Sequence, residues 1–514
     1  MKRISFAVFL AVLAAGCGLH PDSAGGEDGA DLLIRWHFAG TGQLAGDTNA
    51  TALRAVLAQP ATQTLLSQTL ERLAAAPVTK PLGPLLRDLL DAESYVEARG
   101  DVARPDWTFA LRLPPERVAV WLSTWSNAAP AWERSRAQAT QAGGWVVAGV
   151  GGEQLAGFEA VRQRLAKNGR PGVHHEPGAW LEVEANLARL APGLGLPTNI
   201  TWPRAHLALA GRGPNVRTVG RLTYDRPLEL PLEAWRVPTN TIREPLLSFL
   251  AVQGVRPWLA AQPLWRELDL PAPNQVFGWA QSQVPFQTQY AWELPDATNR
   301  LLALKSKLPD ALRARLSWLD FGELQFVPSL NRLAWTGFPI VVPFMNPAPD
   351  PGYVIAGIFP VSEQGDLAPP ELYAQLLGRT NLVLYHWELT QPRLADWHEL
   401  RIVHDMVAGY APPPTNTVVV RWLKDTNVTS HLGNAVTEVT RVSPRELALV
   451  RSSAIGLTAF EIHWIARWLD GRRFPHLSPP VRLIGGAKPA APAPATNPPP
   501  ASPASGHAQT GRQH

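Results

Sequence analysis

The chain has 514 residues, a formal net charge of +4, 46% hydrophobic and 18% charged residues, 50 prolines and one cysteine. A single cysteine excludes an intramolecular disulfide framework and any Cys-based metal cluster. The pI near 9.3 arises from scattered basic residues with no Lys/Arg run longer than two, so the basic stripe that nucleic-acid binding needs is missing and no nucleic-acid partner is expected.

Lys2 and Arg3 give a positive start, Ile4 to Leu13 form a short apolar run, and Ala14-Ala15-Gly16 places small residues before Cys17. The order charged, apolar, small is that of a secretory signal, and the run is far below the roughly 20 apolar residues that span a bilayer. Over residues 1–17 only, the segment resembles the lipobox-type signal of bacterial lipoproteins. The resemblance implies cleavage before Cys17, lipidation of that residue, and a protein held on a membrane in the cell envelope. Position 18 is Gly rather than Asp, which in the same class implies the outer membrane facing the periplasm if the cell has one. Two or three acyl chains hold a protein stably on a bilayer, at about 0.8 kcal/mol per buried methylene.

Residues 17–30 read as a polar Gly/Asp/Glu-containing tether, and residues 485–514, with Pro-Ala-Pro-Ala and Pro-Pro-Pro, as a disordered tail too poor in apolar surface to fold. The body between them is long enough for two or three domains. Asp31 to Gly40 alternates with period two, which predicts a first strand with Leu32, Ile34 and Trp36 on one face and Arg35 and His37 on the other. Leucines at helical spacing from 50 to 92, interrupted by Pro60, Pro77, Pro81 and Pro84, predict two or three short helices with proline starts.

A strand that turns sharply into a helix then recurs, at Trp107–Pro114, Tyr290–Pro295 and Leu384–Thr390. Further strands are expected at 145–150, 180–184, 205–210, 216–224, 276–283, 324–327, 332–335, 353–359 and 435–442, several joined by Gly/Asn turns. Thr458 with Glu461 forms a capping box for a last helix carrying Phe460, Trp464 and Trp468. The fold class expected is α+β, with two related halves, each a largely antiparallel sheet with helices packed on one face. The first half is placed at 31–226, a Pro/Trp-rich connector at 227–273, and the second half at 274–484.

No Gly-x-Ser-x-Gly, Walker loop or dinucleotide fingerprint is present. His398-Glu399 suggests a zinc-peptidase helix, but the next histidine, His404, lies about 240° around the helix beyond a whole turn, so the two rings cannot share an ion. His386 and Glu388 share a strand face and His398 follows on a helix, which offers an acid/base group. His174, His175 and Glu176 sit in a Gly/Pro-flanked loop as weak metal ligands, and His507 and His514 imply adventitious metal affinity only. Each of these groups also has an ordinary structural explanation, and no cofactor is expected.

The body resembles, in general layout, large families of periplasmic lipoproteins. The expectation is a lipid-anchored envelope protein of non-catalytic binding or structural role, with the membrane through Cys17 and an envelope protein or glycan as partners. An envelope hydrolase with an unrecognised site and a periplasmic lipid or glycan carrier are the alternatives.

Overall fold

The computed structural model describes residues 31–471 and 474, apart from 77–79, 103, 129–135, 153–154, 173–176, 195–199, 283–286, 314–321, 338–340, 360–364 and 408–415. Cys17, the tether, His174, His175, Glu176, His507, His514 and the tail lie outside the described residues.

The first half contains β1 (Leu32–Phe38), α1 (Thr41–Gly46), α2 (Thr51–Ala58), α3 (Pro60–Ala75), α4 (Leu86–Asp91), β2 (Ser94–Asp101), β3 (Arg104–Arg112), α5 (Pro115–Ala128), β4 (Arg136–Ala142), β5 (Trp145–Gly151), α6 (Ala156–Asn168), β6 (Leu181–Asn186), α7 (Leu187–Leu194), β7 (Arg204–Arg212) and β8 (Asn215–Thr223). The second contains β9 (Leu246–Gln253), α8 (Arg256–Ala261), α9 (Pro263–Glu267), β10 (Gln275–Gln281), β11 (Thr288–Glu293), α10 (Ala297–Arg313), β12 (Glu323–Val327), β13 (Arg332–Thr336), β14 (Phe344–Pro347), β15 (Tyr353–Gly357), α11 (Pro370–Ala374), β16 (Leu382–Leu389), α12 (Thr390–Val407), α13 (Val418–Lys424), α14 (Thr426–Thr429), β17 (Asn434–Ser443), β18 (Glu446–Ser453) and α15 (Ala459–Asp470). The class is α+β. The stretch read as a connector holds β9, which pairs with both β10 and β16.

Among the described residues, all 18 strands join one antiparallel sheet. In the first half the neighbours run β4–β5–β3–β2–β1–β6–β7–β8. In the second they run β14–β15–β11–β10–β9–β16–β17–β18. The two orders match strand for strand, and the β12–β13 hairpin extends the second half beyond β14. The halves are thus two copies of one topology.

They meet where β8 pairs with β18, and there Val219 lies opposite Val450. Contacts on either side mirror each other about that pair: Arg221 reaches Glu446 at 2.6 Å, and Ser452 accepts from Asn215 at 3.4 Å. Each contact joins a residue two positions after one valine to a residue four positions before the other, the relation a local two-fold axis produces. The join also shares a core. Leu207, Leu209 and Val216 of one half pack with Val439, Leu447 and Leu449 of the other, so neither half buries the strands at the seam alone.

Helices cover both faces rather than one. Adjacent residues of a strand point to opposite faces, and in β3 Leu111 packs under α5 with Val118 and Trp121 while Ala110 packs under α6 with Phe158 and Val161. A second bridge between halves comes from helices: Val56 of α2 joins Leu394, Trp422 and Ile462 of α12, α13 and α15, and Trp422 Nε1 donates to Thr62 Oγ1 at 2.9 Å.

Candidate functional site

β16 is central to its half, and its pleat sets His386 and Glu388 on one face, as period two requires. The Glu388 side chain is 2% exposed and the His386 side chain 23%. Glu388 Oε1 accepts the backbone N–H of Ala459 at 2.6 Å. Ala459 opens α15, where the first N–H groups have no partner within the helix. Two further N–H groups of that helix start are satisfied locally: Thr458 Oγ1 accepts from Glu461 N, and the Glu461 carboxylate accepts from Thr458 N. Arg451 of β18 donates to Glu461 at 2.7 Å, to Thr437 at 2.9 Å and to the Gly456 carbonyl at 3.2 Å.

The second carboxylate oxygen of Glu388 lies 3.7 Å from His386 Nε2, too far for a hydrogen bond. Burial pushes the Glu388 carboxyl up to about 7, against the downward pull of the Ala459 N–H and of Arg393 and Arg451. Burial pushes His386 down to about 4, helped by Arg451 and Arg393. At neutral pH the imidazole is therefore uncharged and the carboxyl is close to half protonated. The pair is therefore not a salt bridge: burial disfavours the charged form of both groups, raising the carboxyl and lowering the imidazole.

His398 projects from α12 and its ring lies beside that of His463 on α15, centroids 6.4 Å apart. Burial lowers both, with Lys424 acting on His398 and with His398, Arg467 and Arg401 acting on His463. The structure thus brings His386 and Glu388 together and gives His398 a different neighbour. His404 contacts Asp405 at 3.2 Å, and Asp405 also accepts from Arg401. Among the described residues no group of three or more His, Cys, Asp or Glu is placed to hold a metal ion.

A second polar site, which the sequence reading missed, lies on the opposite half of the sheet. Cross-strand pairing lines up Glu97, Arg35, Glu184, His206 and Arg221 across β2, β1, β6, β7 and β8. Arg35 donates to Glu184 at 2.9 Å through Nε. Fully buried Glu97 accepts from Tyr95 at 2.6 Å, Arg99 at 2.8 Å and Arg164 of α6 at 2.9 Å, and these partners hold its carboxyl below the usual range against the cost of burial. Beside this row, His37 contacts Glu93 at 3.0 Å. Arg35, His37, Tyr95, Glu182, Glu184 and His206 line a shallow cleft. The signal for it was present in the charged residues set at alternate positions within apolar strands: Arg35 and His37, Glu97 and Arg99, Glu182 and Glu184.

The two copies of the fold do not repeat these sites. Aligning the ends of β6 and β16, each followed directly by a helix, matches Glu184 with Trp387 and Ala185 with Glu388. Where the first half pairs Arg35 with Glu184, the second pairs Phe249 with Trp387 inside an apolar cluster of Phe249, Phe277, Trp279 and Tyr385. Conversely, Val183 and Ala185 are core residues at the positions of His386 and Glu388. Polarity has changed faces between the halves, so each site belongs to one half alone.

No family model matches the chain, and neither the curated proteins nor the solved structures contain a match to it.

Proposed function

We propose that this is a lipid-anchored protein of the cell envelope with a binding or structural role, attached through Cys17. The observation that carries the reading is the Lys2-Arg3, Ile4–Leu13, Ala14-Ala15-Gly16-Cys17 order at the start of the chain. Two features of the body support a non-catalytic role. Glu388, whose carboxyl is pushed up by burial, is enclosed at 2% exposure and commits one oxygen to the start of α15. Polar groups lining the cleft are engaged, Arg35 in an ion pair with Glu184 and His37 in a contact with Glu93, an arrangement that stitches strands together and gives a partner a polar surface.

Metabolic labelling with a palmitate analogue tests the anchor: the natural chain should carry label and fractionate with membranes, and Cys17→Ser should do neither. Equal membrane retention of the two forms would overturn the anchor. In-cell crosslinking of the anchored form, read by mass spectrometry, tests the binding role through recovery of a specific envelope protein or glycan.

One observation favours the hydrolase as a second reading, the Glu388 carboxyl standing near neutrality beside an uncharged imidazole, where general acid/base catalysis works best. Turnover of an envelope polymer that is lost in Glu388→Gln, with folding intact, would establish it in place of the first.

A further inference from the structure

The environment of Glu388 divides its two oxygens between different tasks. Oε1 receives the Ala459 N–H at 2.6 Å, and Ala459 itself is buried. Oε2 faces His386 Nε2 at 3.7 Å, and of these two side chains only the imidazole reaches solvent appreciably, 23% against 2%. The charged groups around the pair are Arg393 on α12, Arg451 on β18 and Glu461 on α15. Each has another partner: Arg393 binds Asp396 at 3.0 Å, and Arg451 binds Glu461 at 2.7 Å. Among the described residues no Arg or Lys ion pair fixes Glu388 as a carboxylate, and its close donor is the backbone amide of Ala459.

We propose that His386 and Glu388 form a one-proton relay from solvent to the start of α15, and that the proton sets how firmly the first turn of that helix is seated on the sheet. In the protonated state Oε2–H donates to Nε2 of the neutral imidazole, which closes the 3.7 Å gap, and Oε1 accepts from Ala459 as a neutral carbonyl. In the ionised state the proton has left through His386 to water, and a full carboxylate faces the Ala459 N–H and the positive end of the helix. An ionised acceptor makes the shorter and stronger bond, and a negative charge at a helix N-terminus is favourable. The first turn is therefore held more tightly when Glu388 is ionised, at the cost of a buried charge. The body of α15 does not move between the two states, because Ile462, Ile465, Trp468 and Leu469 are buried along it. The device is local, and its midpoint lies near neutral pH through the burial that raises the carboxyl.

The test uses the full chain in its natural sequence. Infrared difference spectra between pH 5 and pH 8 should show a protonated carboxyl band that disappears with a midpoint near 7 and is absent in Glu388→Gln. Amide hydrogen exchange at Ala459, corrected for the intrinsic pH dependence, should slow by severalfold as the band disappears, while exchange at Ile465 keeps the same protection. Nitrogen-15 chemical shifts should show His386 remaining a neutral ring with an unprotonated Nε2 at pH 5.5. The proposal is overturned by a Glu388 that is ionised throughout this range, by a His386 that becomes imidazolium above pH 5.5, or by Ala459 exchange that does not follow the carboxyl. The wild-type imidazole shifts decide the matter even if Glu388→Gln does not fold.

Discussion

Glu388 on a central strand accepts the backbone N–H of Ala459, 71 residues later in the chain, at 2.6 Å. The bond ties the middle of the second half to the first residue of the last helix. An acidic group at a helix start is ordinary, but this one comes from another element and is buried, so its removal leaves an enclosed N–H without an acceptor.

Glu388→Ala is expected to lower stability by about 1–3 kcal/mol, the cost of an unsatisfied buried donor. Glu388→Gln, which keeps a carbonyl acceptor, should lose less. Urea titration of the two variants followed by tryptophan fluorescence measures the difference, and equal losses would show that the hydrogen bond to Ala459 contributes nothing.

Stability should rise with pH from about 4.5 to 6.5. His386 and His463 have folded values pushed down to about 4 from 6.5, so the unfolded chain binds more protons than the folded one in that interval and stability is lost as pH falls through it. Glu388, raised from 4.5 to about 7, acts in the opposite sense: its contribution is present below 4.5 and is lost as pH rises to 7. Two histidines outweigh one carboxyl across the shared window. Removing the carboxyl in Glu388→Gln should therefore make the acid limb steeper, a change read from Tm against pH.

The row at Arg35 and Glu184 should behave as a unit. Arg35→Met leaves Glu184, whose side chain is 12% exposed, without its guanidinium and is expected to cost about 3 kcal/mol or more. The double change Arg35→Met with Glu184→Leu, which imitates the apolar pair Phe249 and Trp387 of the other half, should recover most of that loss. A double-mutant cycle in urea gives the coupling, and additive losses would argue against a functional pair.

The seam between the halves should transmit unfolding. Leu449, 6% exposed, packs with residues of both halves, and Leu449→Ala is expected to cost about 2–5 kcal/mol. Calorimetry should show one transition moving to lower temperature. Two separated transitions, only one of them shifted, would mean that the halves fold independently in spite of their shared strands.

Much of the architecture was legible in residue order. Strong period-two runs such as Leu32–Phe38 and the sharp strand-to-helix turn after Leu389 appear as read, as does the Thr458/Glu461 capping box. Five strands were not anticipated, β2, β4, β9, β14 and β18, and the first three share a cause. β2 carries Glu97 and Arg99 where core residues are expected, β4 is built of Ala, Gln and Thr without strong strand formers, and β9 sits among Pro/Trp-rich neighbours that read as a connector. In each, the partner strands supply the reason for being a strand, and local propensity does not. The acid/base group was legible only in part: His386 and Glu388 lie on one strand face because alternation is a property of the backbone, whereas the place of His398 depended on which helix packs beside α12.

The sequence by itself determined the signal-like start, the element types with strong periodicity and the α+β class, because these follow from contacts between residues near in the chain. Tertiary structure alone decided that the two halves share one sheet through Val219 and Val450, that charge lies on opposite faces in the two copies, and that Glu388 meets Ala459. Those relations join residues far apart in sequence, and burial rather than residue type sets the proton affinity of Glu388.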